Sequence, residues 1–171
     1  MLDEVDAITA AWQVERPDLD LAPIQVLSRI SRIARLLDDR RSRAFAEHGL
    51  AGHEFDVLAA LRRSGSPYEL TPGQLIEATH VTSGTMTNRL DRLAARRLIV
   101  RRDHPADGRQ VIIRLTPAGR RRVDGAFEAL LASEEALLAG LPASQRASLA
   151  AGLRRLLGLT AGSAGAVTPA G

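Results

Sequence analysis

The sequence predicts a mainly α chain with a small β-hairpin wing, that is, a winged helix-turn-helix domain plus N- and C-terminal dimerisation helices. Three observations carry that prediction. Apolar residues recur at helical spacing over most of the length. Two closely spaced helix starts, Thr71-Pro72 and Thr82-Ser83, bracket a short connector. Immediately afterwards the period changes to two β-branched runs joined by Pro and Asp-Gly.

The elements follow in order. Leu2–Glu15 carries Leu2, Val5, Ile8 and Trp12 at helical spacing, and Arg16-Pro17-Asp18 breaks it. Pro23–Glu47 is a long helix with Ile24, Leu27, Ile30, Ala34, Leu37 and Ala44 on one side. Gly49 closes it where a left-handed residue is favoured. Gly52–Ser64 has an apolar stripe of Phe55, Leu58, Ala59 and Leu61, with Val57 alongside, and ends at Gly65-Ser66-Pro67. Thr71 is an N-cap, Pro72 fits the first helical position and Gln74 completes a capping box. Leu75 and Ile76 give that helix its apolar side. Thr79-His80-Val81 leads to Thr82 or Ser83 as the next cap. The helix beyond places Met86, Leu90, Leu93 and Arg97 on one face. Strands at Ile99–Asp103 and Gln110–Leu115 enclose the long tip His104–Gly108. Thr116-Pro117 opens a helix through about Ala139, with Val123, Phe127, Leu130 and Leu131 inward. Leu141-Pro142 breaks it before a last helix, about Ala143–Leu157. The chain thus divides into an extra N-terminal helix and linker (1–22), dimerisation helices (23–50 and 117–158), a winged helix-turn-helix lobe (51–116) and a disordered tail (159–171).

Composition narrows the function. There is no cysteine, which excludes disulfides and thiol chemistry. No stretch approaches the length of apolar residues a membrane helix needs, and the N-terminus is acidic where a signal peptide is basic. A soluble, cytoplasmic protein is expected. All 23 basic residues are Arg, so a high isoelectric point says little beside a net charge of +3. The distribution says more. Residues 89–122 hold eleven Arg against Asp91, Asp103 and Asp107, a local balance of +8, whereas residues 1–22 stand at −5. A basic segment in a nearly neutral chain is the footprint of a phosphate-binding surface, although a solvated helix face would give the same count.

Order of elements weighs against that bland alternative. A capped helix, a short turn, a hydroxyl-rich helix and a basic hairpin together describe a reader of double-stranded DNA. With Met86, Leu90 and Leu93 inward, the far face offers Thr85, Asn88 and Arg92, flanked by Ser83, Thr87 and Arg89. Hydroxyls, an amide and guanidiniums near a helix start can reach base edges and phosphates. Arg101, Arg102 and Arg109 cluster on the hairpin, where an inserted Arg meets a narrow minor groove or its phosphates. The flanking helices carry more apolar positions than so small a lobe can cover, which calls for a second copy of the chain.

The runs Val81–Leu93, Leu98–Arg102, Asp107-Gly108-Arg109-Gln110 and Leu115–Gly119 resemble the MarR family of bacterial transcription regulators. That resemblance spans roughly Ile24 to Leu157. It implies a homodimer with interlocked terminal helices, a palindromic operator, and repression relieved by a small anionic or aromatic ligand. It also implies that residues 83–92 read the major groove and Arg109 the minor groove. The N-terminal helix with Trp12, followed by Glu15–Asp20, is similar to the urate-responsive branch. There a Trp, an Asp and Arg residues surround a purine-like anion, which points to Trp12, Arg97 and Arg109. The branch's Asp falls near Ser64 or Gly65, which are not acidic.

Other chemistry is weaker. His48, His53, Glu54 and Asp56 lie close together, but two His five apart across Gly49 and Gly52 match no compact metal spacing. No nucleophile–base pair, phosphate loop or carboxylate pair stands out, so no enzyme, metal or cofactor is expected. Arg97 also fits a residue whose stem packs while its head reaches water, and Trp12 a packing anchor. The alternative function is a winged-helix protein-interaction module without DNA binding, which the basic wing disfavours.

Overall fold

The computed structural model describes residues 2–104 and 107–164, with the side chains of 104, 107–110 and 161–164 outside the described ones. In chain order the elements are α1 (Glu4–Glu15), α2 (Ala22–Glu47), α3 (Gly52–Arg63), β1 (Glu69–Leu70), α4 (Pro72–Thr79), α5 (Ser83–Ala95), β2 (Ile99–His104), β3 (Asp107–Leu115), α6 (Pro117–Leu138) and α7 (Ala143–Ala164). The expected mainly helical fold with a hairpin wing is what the chain adopts.

By its internal contacts the chain divides after Leu131 into two compact units. The first has one core, built from Phe45 of α2, the apolar stripe of α3, Leu75 of α4, Met86, Leu90 and Leu93 of α5, Ile99 and Ile113 of the wing, and Val123 and Leu130 of α6. Each such side chain contributes roughly 1.5–3 kcal/mol on burial. Phe45 and Phe55 stack with ring centroids 4.0 Å apart, which pins the end of α2 to the start of α3. The second unit comprises the end of α6 and α7. Its turn is held by Arg146, whose guanidinium reaches both Glu135 carboxylate oxygens at 2.8 and 3.0 Å and donates from Nε to the Leu141 carbonyl at 2.9 Å.

The sheet is antiparallel in the order β1-β3-β2. β1 is absent from the sequence expectation because two residues have no alternation to read. It exists as a strand only where β3 offers it an edge, with Glu69 opposite Arg114 and Leu70 opposite Ile113. The β2–β3 ladder runs from Ile99 opposite Leu115 out to His104 opposite Asp107, longer than the expected strands. Residues 105 and 106 lie outside the described residues.

Three further expectations need correction. Arg97 is not on the apolar face of its helix: α5 ends at Ala95 and Arg97 is exposed in left-handed backbone, φ 57°. The N–H groups of Leu98 and Arg97 bond back to the Leu93 and Ala94 carbonyls at 3.0 and 2.9 Å. That is the Schellman stop usually made with Gly, so helical spacing stopped predicting orientation one residue before Arg97. Phe127 and Leu131 do not point inward but stand half exposed, while Val123 and Leu130 are buried. The last helix continues past Leu157 to Ala164, shortening the expected tail; residues 165–171 lie outside the described residues. Small residues such as Ala161 and Gly162 give no apolar period, yet they do not forbid a helix.

Two joints set the lobe's geometry. Gly49 adopts φ 64° after α2, as expected of a helix stop. Gly119, in the first turn of α6, is packed so closely that a Cβ there would stand 2.1 Å from the Leu98 carbonyl oxygen. Thr116 beside it caps α6 by accepting from the Gly119 N–H at 3.0 Å, while its hydroxyl lies 2.9 and 3.0 Å from the Arg97 and Leu98 carbonyls. The start of α6 is thereby bolted to the point where α5 gives way to the wing. Among the described residues, no helix is long and apolar enough to cross a membrane.

Candidate nucleic-acid interface

Caps fix the two short helices. Gln74 N–H donates to the Thr71 hydroxyl at 3.3 Å and Thr71 N–H to Gln74 Oε1 at 2.8 Å, closing the box read from the sequence. His80 ends α4 in left-handed backbone, φ 52°. Two residues later Thr82 caps α5, its hydroxyl accepting from Thr85 N–H at 3.4 Å. Of the two possible caps, Thr82 is the one used. This tight turn sets the two axes of a helix-turn-helix.

Burial of Met86, Leu90 and Leu93 turns the other side of α5 outward. Ser83, Thr85, Thr87, Asn88 and Arg92 are exposed and Arg89 is half-buried. Thr82 and Thr85 share a hydroxyl–hydroxyl hydrogen bond of 3.0 Å, and Thr87 donates to the Ser83 carbonyl at 3.1 Å. Thr85, Asn88, Arg89 and Arg92 line one hollow of about 270 Å³ together with His53 of α3. His53 is the member sequence reasoning missed, since nothing in its neighbourhood ties it to residues 85–92. Among the described residues no three His, Asp or Glu side chains group closely enough to hold a metal ion.

The wing divides its arginines between two faces. Arg101 is paired with Ile113 on the core side of the sheet, and its guanidinium meets the Asp91 carboxylate of α5 at 2.5 Å. That ion pair ties wing to recognition helix and was not foreseen, because ten residues of sequence separate the partners. Arg102 takes the opposite face and is exposed. Arg109 belongs to β3, and its side chain lies outside the described residues.

Behind the interface is a partly buried strut. Glu54 accepts from Arg96 Nη1 with both carboxylate oxygens at 2.7 Å and from Ala51 N–H at 3.0 Å, while Arg96 Nη2 donates to the Gly49 carbonyl. Burial pushes the Glu54 carboxyl up, but the Arg96 hydrogen bonds, the Ala51 amide and the Arg96 charge outweigh it, and the group sits below its ordinary value. The start of α3 and the end of α5 are therefore locked by a forked, charge-assisted contact.

Of the expected ligand residues, the structure describes the side chains of Trp12 and Arg97, and that of Arg109 lies outside the described residues. Trp12 stands on α1 with half its surface exposed, and no hydrogen bond, ion pair or ring contact joins it to Arg97 among the described residues. What α1 does have is a charge clasp. Arg29 of α2 holds Asp3 at 2.8 Å and Asp6 at 2.7 Å, and Arg32 meets Glu4. The acidic N-terminus thus docks on arginines of its own chain.

Comparison with known proteins agrees with this geometry. A MarR family model matches residues 48–110. The HTH-type transcriptional regulator PecS of Dickeya dadantii is 35% identical over 153 residues, covering 90% of this chain and 92% of its own. A mutant MarR from E. coli superposes with a TM-score of 0.65 at 25% identity, over 77% of this chain and 96% of that one. Bordetella bronchiseptica BpsR, described by the regulation of its DNA binding by 6-hydroxynicotinic acid, gives a TM-score of 0.57 at 26% identity, over 75% and 98%. With the capped helix pair, the polar outer face of α5 and the basic wing, these relatives place the protein: the chain belongs to the MarR family of transcriptional regulators, DNA-binding winged-helix proteins and not enzymes.

Proposed function

We propose that the chain is a homodimeric repressor that grips a palindromic operator and lets go when a small anionic or aromatic ligand binds. One observation carries the reading: Thr85, Asn88, Arg89 and Arg92 gather on the open face of α5, whose other face is locked into the core. Asn88 and Thr85 sit where base edges would be read, with Ser83, Thr87, Arg89 and Arg92 on base edges or flanking phosphates. Arg102 and Arg109 supply the wing's grip on the minor groove or its phosphates. Arg101 acts chiefly through Asp91, holding the wing against α5. Dimerisation is supported by exposed apolar residues on α2 (Val26, Leu27, Ile33, Leu36) and on α6 and α7 (Phe127, Leu131, Leu153, Leu157). Ligand release is supported by the description of BpsR, and repression by the P. putida relative named as the repressor NicR.

A footprint on the DNA upstream of the protein's own gene tests this. The reading expects two protected half-sites about one helical turn apart. Protection should fade on adding 6-hydroxynicotinate or urate, and Asn88→Ala should change which sites are protected rather than merely weaken them. A single protected patch insensitive to Asn88→Ala would remove the symmetric-operator reading.

A further inference from the structure

Helix α2 meets the winged lobe at one end. Of its 26 residues only Ala44 and Phe45, near the C-terminus, are buried, and Phe45 stacks on Phe55 of α3. Two buried side chains anchor the end of a rod about 39 Å long without fixing its direction. The direction is decided just beyond α2, where a helix end leaves carbonyls without a helical partner. Two carbonyls there accept from arginines of two other elements. Arg122 of α6 donates from Nη1 to the His48 carbonyl at 2.8 Å. Arg96, the residue that ends α5, donates from Nη2 to the Gly49 carbonyl while Glu54 holds its other nitrogen.

Close packing holds the same point from the other side. A Cβ on Gly49, already at φ 64°, would stand 2.6 Å from Arg122 Nη1. The His48 ring lies so near the Gly125 backbone that a Cβ there would stand 2.7 Å from its Cε1. Both glycines thus clear the room in which α2 ends against α6. Arg122 is exposed, and among the described residues no carboxylate pairs with it, so the charge-assisted bond to the His48 carbonyl is what places its guanidinium. The ends of α2 and α5 and the first turns of α6 therefore meet at one joint. A tilt of about 10° there would move the far end of α2 by about 7 Å, twice the rise of about 3.4 Å per base pair.

We propose that Arg122 is a positioning residue for DNA recognition. By fixing the end of α2 beside the end of α5, it sets the separation and angle of the two α5 helices in a dimer, and so the half-site spacing the protein accepts. This role rests on the proposed homodimer on a two-fold operator, with the exposed Val26, Leu27 and Ile33 of α2 facing the second copy. It adds the place where spacing is decided, away from every residue that touches a base.

Anisotropy titrations of the full chain test this with the duplex that the parent protects upstream of its own gene, and with copies in which one base pair is added or removed between the half-sites. The parent should lose at least about tenfold in affinity on either change, because each displaces a half-site by about 3.4 Å and roughly a tenth of a turn. Arg122→Gln should lose about threefold or less on the same changes. Its affinity for a duplex with one half-site scrambled should match the parent's, since the reading face of α5 is untouched. Gly125→Ala, which displaces the His48 ring without altering charge, should flatten the spacing profile too. Arg121→Gln, which removes the same charge one residue away, should keep it sharp. Sharp profiles in both Arg122→Gln and Gly125→Ala overturn the proposal and leave the operator reading standing. So does an equal weakening by Arg122→Gln at every spacing, which would make Arg122 a phosphate contact. Flattening by Arg121→Gln also overturns it, since local charge would then be the cause. A parent that binds no duplex, or binds all spacings alike, removes the operator reading itself and this role with it.

Discussion

Helices α5 and α2 have the same kind of sequence, an apolar stripe at helical spacing with Arg on the opposite side, and opposite fates in the structure. In α5 the stripe disappears into the lobe, with Met86, Leu90 and Leu93 at 1%, 3% and 0% exposure. In α2 the residues Val26, Leu27 and Ile33 remain 53%, 53% and 54% exposed, and only Ala44 and Phe45 at the far end are buried. Periodicity therefore says that a helix wants a partner, not where the partner is. For α5 the partner is the chain itself, which frees the polar face for another molecule. For α2 the partner proposed above is a second copy.

Breaking the closed side of the comparison should have the largest effect. Leu93→Ala removes a fully buried side chain from α5 and should cost about 2–5 kcal/mol, read as a lower midpoint in urea. Gly119→Ala drives a methyl group into the Leu98 carbonyl and should cost about 1–3 kcal/mol or more. If Gly119→Ala melted with the parent, the close contact between α6 and the wing would be misassigned. Next comes the strut: Glu54→Gln takes the charge from the Arg96 fork and should cost about 2 kcal/mol. Its pH signature follows from the lowered Glu54 carboxyl. The contribution is fully present above the ordinary value of 4.5 and is lost as pH falls through the folded value. A parent and Glu54→Gln pair whose stabilities stay parallel below pH 5 would contradict it.

The open side gives a smaller effect on folding and a larger one on assembly. Ile33→Glu on α2 should barely change a monomer's secondary structure but should shift sedimentation from dimer to monomer at micromolar concentration. A variant that still sediments with the parent would place the partner surface elsewhere. The smallest effect is expected at α1. Arg29 holds Asp3, and the Asp3 amide and then Arg29 hold Asp6, below the ordinary value of 3.8. The clasp is therefore intact above that value and is lost as pH falls through the lower folded values. The protection factors of residues 4–15, taken against the unstructured rate at each pH, should fall there, and also in high salt.

The same contrast explains what the sequence made legible. Local chemistry carried far: the Thr71–Gln74 box, the Thr116 cap and the stop at Gly49 were readable, and the cap of α5 was narrowed to Thr82 or Ser83, because each is decided within a few residues. The buried stripe of α5, and hence its outward face, followed from spacing alone. Non-local features were hidden. β1 needs β3, Arg101 needs Asp91 across the wing, and the Arg96 fork needs Glu54, forty-two positions away. Arg97 was misread because its orientation depends on where α5 stops, and an Arg in the left-handed stop position gives no glycine signal. Phe127 and Leu131 were misread for the reason that α2 teaches: helical spacing marks an apolar side without saying that the chain itself covers it.

The most direct test is a fluorescence-anisotropy titration of a duplex from upstream of the protein's own gene, at several salt concentrations, against a scrambled duplex. Several Arg–phosphate contacts per dimer predict that log affinity falls with log salt at a slope steeper than about −4. The account further predicts that the parent prefers the native duplex and that Asn88→Ala erases most of that preference with little change on the scrambled one. A flat salt dependence, with Asn88→Ala and parent alike on both duplexes, would contradict it.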